Sequence, residues 1–207
     1  MEDDDSESEF YVMKLATNTD DSLAVAAWSD MNLRVYDIAS GLSRDCTHTF
    51  VGHVDRITSL MFGSTDNFSV YSSAEDGIVG CWDTRSGPSM TQRFEVDGKP
   101  MIASMDVGLD DQLIVAGTEN GDKSKIYFWD RRSKKLLGEY EESHNDGITQ
   151  LQFNPIQKTR LASASLDGLV CYFDITKPKE EDALISVMNA GGPVNKIGFF
   201  GPEMQCL

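Results

Sequence analysis

Short apolar or alternating runs punctuated by polar, glycine-containing turns fill the chain, and no 3.6-residue amphipathic pattern persists anywhere along it. Runs such as Leu23-Ala24-Val25-Ala26-Ala27, Ile57-Thr58-Ser59-Leu60-Met61-Phe62, Leu113-Ile114-Val115-Ala116-Gly117-Thr118 and Leu161-Ala162-Ser163-Ala164-Ser165 have the length and residue types of strands. Alternation suits a pleated strand with one buried face, and β-branched clusters suit one buried on both. The pattern predicts an all-β protein.

The strands recur in a fixed order. An aromatic followed by aspartate appears at Tyr36-Asp37, Trp82-Asp83, Trp129-Asp130 and Phe173-Asp174, in steps of 46, 47 and 44 residues. Each pair ends a short strand. Six residues before three of the aromatics stand Asp30, Asp76 and Asp167. Asp76-Gly77 and Asp167-Gly168 are hairpin signals, and a two-residue turn there would place both residues at positive φ. Asn120-Gly121 takes that place in the third unit. Gly52-His53 lies 29 residues before Trp82, and Ser143-His144 lies 29 before Phe173. A further strand follows each aromatic-Asp pair. The expected units are four-stranded and span roughly 10–50, 53–97, 98–141 and 143–189, with 194–207 opening the next.

On these residues the chain resembles the WD-repeat family, whose Gly-His … Trp-Asp signature recurs at a period of about 40–45 residues. The resemblance implies a WD-repeat β-propeller of about four blades plus the first strand of a fifth, an incomplete or open ring. Such a chain is expected to be part of a longer propeller, to close its ring by self-association or with a partner, or to curl into a four-bladed ring. The second and fourth units carry most of the pattern. The first has Tyr for Trp, and the third has Gly98-Lys99 near the Gly-His place.

His53 with Asp76 and Ser72 or Ser73, and His144 with Asp167 and Ser163 or Ser165, also have the residue types of a hydrolytic triad. The same set at the same spacing in two units argues for a scaffold, since a catalytic site has no reason to occur once per repeat. The resemblance implies a structural hydrogen-bond chain: His53, Ser72, Asp76 and Trp82 in the second unit, and His144, Ser165 and Asp167 in the fourth. Phe173 removes the indole donor from the fourth. Ala74 stands where Ser165 falls, leaving Ser72 or Ser73 to serve in the second.

Charge narrows the partners. Eighteen Lys+Arg against 34 Asp+Glu give −16, which argues against nucleic acid or an anionic membrane as the main partner. Six of those negatives lie in residues 1–9, read as a solvated, disordered head. Asp110-Asp111 and Glu180-Glu181-Asp182 read as solvated loops. No cofactor or metal motif is present, and the four cysteines have no ligand spacing. An acidic N-terminus and scattered cysteines suit an intracellular protein, cytoplasmic or nuclear rather than secreted.

The expected function is therefore a non-enzymatic protein–protein interaction scaffold, working through loops at the propeller rims. Trp82-Asp83-Thr84-Arg85 and Trp129-Asp130-Arg131-Arg132 both place Arg two residues after the Asp. That spacing resembles the Trp-Asp-x-Arg signature of substrate receptors of cullin–RING ubiquitin ligases, with Arg85 and Arg132 as the partner-binding residues. An enzyme on a propeller scaffold is the third class, and no residue pattern supports it.

Overall fold

A computed structural model describes residues 10–41, 46–119, 123–201 and 205–206. The acidic head and the Asn120-Gly121 turn lie outside these residues. Strands β1 (Val12–Thr17), β2 (Leu23–Trp28), β3 (Leu33–Asp37) and β4 (His48–Phe50) form the first sheet. The second contains β5 (Ile57–Phe62), β6 (Ser69–Ala74), β7 (Val79–Asp83) and β8 (Gln92–Phe94). The third contains β9 (Ile102–Gly108), β10 (Leu113–Thr118), β11 (Ile126–Asp130) and β12 (Lys135–Tyr140). The fourth contains β13 (Ile148–Phe153), β14 (Arg160–Ser165), β15 (Leu169–Asp174) and β16 (Leu184–Asn189), with the one-turn helix α1 (Glu180–Ala183) before β16. Each sheet is an antiparallel meander in chain order.

The first strands adjoin in series: β1 beside β5, β5 beside β9, β9 beside β13. They form the inner wall of the array. Residues 194–197 continue it alongside β13, where Thr149 Oγ1 donates to Val194 O at 2.6 Å and Ile197 N donates to Gln150 Oε1 at 2.9 Å. Of the strand expected over 194–200, only Phe199–Phe200 (β17) is regular, and it pairs with β18 (Gln205–Cys206).

The core lies between sheets, not within any one. Val25, Leu33, Val35 and Phe50 of the first sheet pack on Ile57, Val70 and Trp82 of the second. The next seam joins Tyr71, Val79 and Phe94 to Ile114 and Trp129, and the third joins Val115, Phe128 and Tyr140 to Ile148, Leu161 and Phe173. Trp82 stacks on Phe50 with centroids 5.2 Å apart, Trp129 meets Phe94 edge-on at 6.4 Å, and Phe173 meets Tyr140 at 5.3 Å. An aromatic at the end of each of the first three outer strands thus receives the next sheet's Trp or Phe. A sheet alone would expose half of this apolar surface, so the units stabilise one another.

Close approach sets two glycines. A Cβ on Gly117 would lie 2.6 Å from Ile148 Cγ2, and one on Gly108 would lie 2.5 Å from the Phe153 ring. The hairpins at Asp76-Gly77 and Asp167-Gly168 differ from the expected two-residue turn. Only Gly77 (φ +78°) and Gly168 (φ +85°) are left-handed. Gly77 N bonds Ala74 O while Ala74 N bonds Ile78 O, so the loop is one residue longer and the aspartate keeps an ordinary φ. That frees its carboxylate to face the histidine.

Candidate functional site

Two connected features carry the candidate chemistry: the Asp–His–Ser chains inside the second and fourth sheets, and the rim at the β5–β6 end of the array.

In the second sheet the β6–β7 turn aims Asp76 at His53, which sits in the connection from β4 to β5. His53 Nδ1 lies 3.0 Å from Asp76 Oδ2, and His53 Nε2 lies 2.7 Å from Ser72 Oγ. The Trp82 indole donates to the same Ser72 oxygen at 2.8 Å. Because the indole can only donate, Ser72 O–H points at Nε2 and Nδ1–H points at the carboxylate. Asp76 also accepts from the amides of Val54 and Ile78 at 3.1 and 3.0 Å. Burial pushes the Asp76 carboxyl up, but His53 and the two amides outweigh it and leave it below the usual range.

The fourth sheet repeats the arrangement without the indole. His144 Nδ1 lies 3.2 Å from Asp167 Oδ2, and Nε2 lies 2.6 Å from Ser163 Oγ. Asn145 N and Leu169 N each donate to Asp167 at 2.9 Å. Ser165, expected in this chain, is not its member. Its hydroxyl donates to Asp146 O at 2.9 Å and accepts from Asp167 N at 3.1 Å, so it braces the turn instead. Ser72 and Ser163 each stand four residues before their aspartate, the distance the longer hairpin requires. Burial lowers the His144 pKa against the opposing pull of Asp167, which keeps the imidazole neutral at pH 7.

These chains cannot run acyl transfer. Ser72 and Ser163 are both 0% exposed, so no substrate carbonyl reaches either oxygen. Among the described residues no group of three His, Cys, Asp or Glu side chains converges as a metal site, and no helix is long and apolar enough to cross a membrane.

The rim holds the accessible polar groups. Loops β1–β2, β5–β6, β9–β10 and β13–β14 are laced together across the seams. Asn67 Nδ2 donates to Asp20 Oδ2 at 2.7 Å, and Lys158 pairs with Asp110. Asp111 accepts from the amides and hydroxyls of both Ser64 and Thr65 at 2.6–3.0 Å. Asp111 is 1% exposed, which corrects its reading as solvated, whereas Asp110 beside it is exposed. Leu109, Asp110 and Asp111 are all left-handed (φ 52°, 54° and 60°), a conformation costing about 1–2 kcal/mol per residue that these cross-seam bonds offset. Glu180 is likewise engaged: its carboxylate accepts from the amides of Glu141 and Glu142 and from Ser143 Oγ.

Arg85 and Arg132 lie on this same rim in different states. Arg85 folds back onto Asp83 at 3.0 and 2.7 Å and covers the Phe68 ring at 4.3 Å. Arg132 is exposed, and among the described residues no ion pair holds it. Arg131, which the motif treats as a spacer, reaches across the seam over the Tyr71 ring at 5.4 Å.

On the inner wall Asp106 accepts from Phe153 N at 2.6 Å and from Val107 N at 2.8 Å. Burial pushes its carboxyl up to about 6, and the two amides only partly oppose this. Folding therefore favours the protonated form, and stability falls as pH rises through the window from 3.8 to about 6. Asp106→Asn keeps an acceptor for Phe153 N without the charge. We expect it to stabilise the chain by about 1–2 kcal/mol near pH 7.5 and by almost nothing near pH 4, read from urea midpoints.

Four consecutive four-stranded meanders, joined by cores between sheets, with Asp–His–Ser chains inside the second and fourth, define blades of a WD β-propeller. The chain belongs to the WD-repeat family: the model for the WD domain, G-beta repeat, matches residues 44–83 and 134–174. Each match begins at the outer strand of one sheet and ends at the third strand of the next, so a sequence repeat straddles two blades. The chain is 30% identical over 197 residues to WD repeat-containing protein 89 homolog of Dictyostelium discoideum, covering 95% of this chain and 51% of that protein. It is 32% identical over 205 residues to WD repeat-containing protein GTS1 of Arabidopsis thaliana, covering 95% and 50%. An uncharacterized WD repeat-containing protein of Schizosaccharomyces pombe is 29% identical over 63% of this chain. The chain thus spans about half the length of the first two relatives. WD-repeat proteins generally act as protein-interaction scaffolds and are typically non-enzymatic.

Proposed function

We propose that this chain is a non-enzymatic protein-interaction scaffold that holds partners at the rim of the β5–β6, β7–β8, β9–β10 and β11–β12 loops. One contrast carries the reading. The reactive residue types are sealed inside blades, while on the rim Arg85 and Arg132 are exposed above a framework braced from loop to loop. A rigid frame lowers the ordering cost of binding, and guanidinium forks suit partner carboxylates and carbonyls. Free thiols at Cys46, Cys81 and Cys171 support an intracellular setting. In affinity capture with the full chain, Arg85→Ala/Arg132→Ala should lose partners that Arg56→Ala, on the opposite rim, retains. All three proteins should melt alike. An unchanged set of partners in the double variant would remove this rim from the account.

A narrower role follows from the Trp-Asp-x-Arg spacing at Arg85 and Arg132: a substrate receptor docked on a cullin–RING ligase adaptor. Both arginines occupy one rim in adjacent blades, which supports it. Co-purification with that adaptor, abolished by the same double variant, is the expected result.

A further inference from the structure

The β11–β12 turn is the most basic stretch of an acidic protein. Arg131, Arg132, Lys134 and Lys135 fall within five residues of a chain whose net charge is −16. The turn borders a cleft of about 520 Å³ lined by Arg131 and Arg132, by Asp110 and Asp111, and by Thr65, Gln92 and Gln112. Carboxylates stand nearby, but each is already engaged. Asp111 is held by Ser64 and Thr65, and Asp110 by Lys158. Asp66 accepts from Phe68 N and Ser69 N, Asp83 from Arg85, and Asp130 from Ser133 N. The cations are matched more loosely: Asp130 attracts Arg132, but the two form no ion pair among the described residues. Arg132, Lys134 and Lys135 are exposed, and no ion pair among the described residues includes them. Arg131 is half-buried in the wall, and its side-chain bonds to Asp111 O and Ser69 Oγ are long, both 3.4 Å. The same guanidinium lies over the Tyr71 ring and interacts with the Cys81 thiol, and the residue lines the cleft.

Backbone geometry adds a second observation. Lys134 is left-handed, with φ 59°, at the place in its turn where the first blade has Gly41, with φ 94°. Glycine would adopt that conformation without strain. The turn instead carries a charged side chain there, held out from the rim.

We propose that this cleft and turn form a docking site for an acidic peptide segment of a partner protein, with carboxylates seated on Arg132 and Lys134 and a further acceptor on Arg131. The proposal deepens the scaffold reading and rests on it. The net charge of −16 opposes the approach of such a peptide, so affinity for it must arise locally, and charge complementarity sets the partner's chemistry.

Fluorescence anisotropy on the full chain tests this, with a short labelled peptide of alternating glutamate and serine. Its counterpart with glutamine for glutamate serves as control. The acidic peptide should bind and the control should not, and affinity should fall as added salt shortens the Debye length below about 10 Å. Arg132→Glu/Lys134→Glu should weaken binding more than about tenfold, because two attractions become repulsions. Lys134→Gly should also weaken it while melting no lower than the parent, a split that a purely structural lysine would not produce. Equal binding of both peptides, no binding, or binding untouched by these substitutions overturns the proposal. So does tighter binding of a single-stranded oligonucleotide that competes the peptide away. Partner capture lost in Arg85→Ala/Arg132→Ala alongside a failed peptide assay would leave the scaffold reading standing and remove this one alone.

Discussion

His53→Ala is expected to destabilise the chain by about 3–4 kcal/mol, because it breaks a buried charge-assisted chain and leaves both neighbours behind. The side chains of His53 and Asp76 are 0% and 3% exposed, so water cannot replace the lost partners. Asp76 would keep its two amide donors, but Ser72 would lose the acceptor for its proton and the Trp82 indole would face a half-satisfied oxygen. A cavity the size of the ring adds to the loss. At about 2–4 °C per kcal/mol for a chain of this size, Tm should fall by roughly 10 °C. The matching His144→Ala should cost less, about 2–3 kcal/mol. Asp167 is 10% exposed there and Phe173 has no donor to strand. Rim binding should survive both changes wherever the protein is folded.

Gly117→Ala should cost about 2–3 kcal/mol by overpacking the seam between the third and fourth blades. The added methyl would meet Ile148 at 2.6 and 2.7 Å and the Ser104 hydroxyl at 2.9 Å. Neither can yield cheaply. Ile148 is fully buried, and its carbonyl accepts from Ser104 Oγ at 2.6 Å, a bond that joins the two inner strands. Gly138→Ala in the outer strand β12 is the control, since nothing lies within 4 Å of its Cβ position. That variant should be neutral or slightly more stable, by up to about 0.5–1 kcal/mol through the unfolded state. Urea midpoints of the two variants give the comparison directly.

Strand positions and blade count were legible because the repeat writes each of them several times. The four aromatic-Asp pairs each close the third strand of a sheet, and His53, Ser72, Asp76 and Trp82 meet as a chain. Alternation alone could not choose between Ser163 and Ser165. Two residues apart, both face one side of β14, and the choice turns on the extra residue in the hairpin. The partners of the repeat aromatics, Phe50, Phe94 and Tyr140, are inconspicuous because they sit at the ends of outer strands, whose other residues are mostly exposed. Their fixed place just before each unit's start was the available signal. Asp111 read as solvated because a carboxylate in a loop normally is. Its burial depends on donors from Ser64 and Thr65, some 46 residues away, which local pattern does not reveal. Arg131 is hidden for a similar reason, since its contacts with Ser69 and the Tyr71 ring lie in the preceding blade.

The repeated Asp–His–Ser sets brace their own blades from within, and burial of both serine hydroxyls keeps them from acyl transfer. Thermal unfolding of Ser72→Ala beside Ser163→Ala tests this most directly. Ser72 joins an imidazole to an indole, whereas Ser163 serves an imidazole alone. Both variants should therefore melt below the parent, with Ser72→Ala lower by the equivalent of about 1 kcal/mol, and both should keep partner binding while folded. Parent-like melting of both variants, coupled with loss of a measurable turnover, would contradict the account.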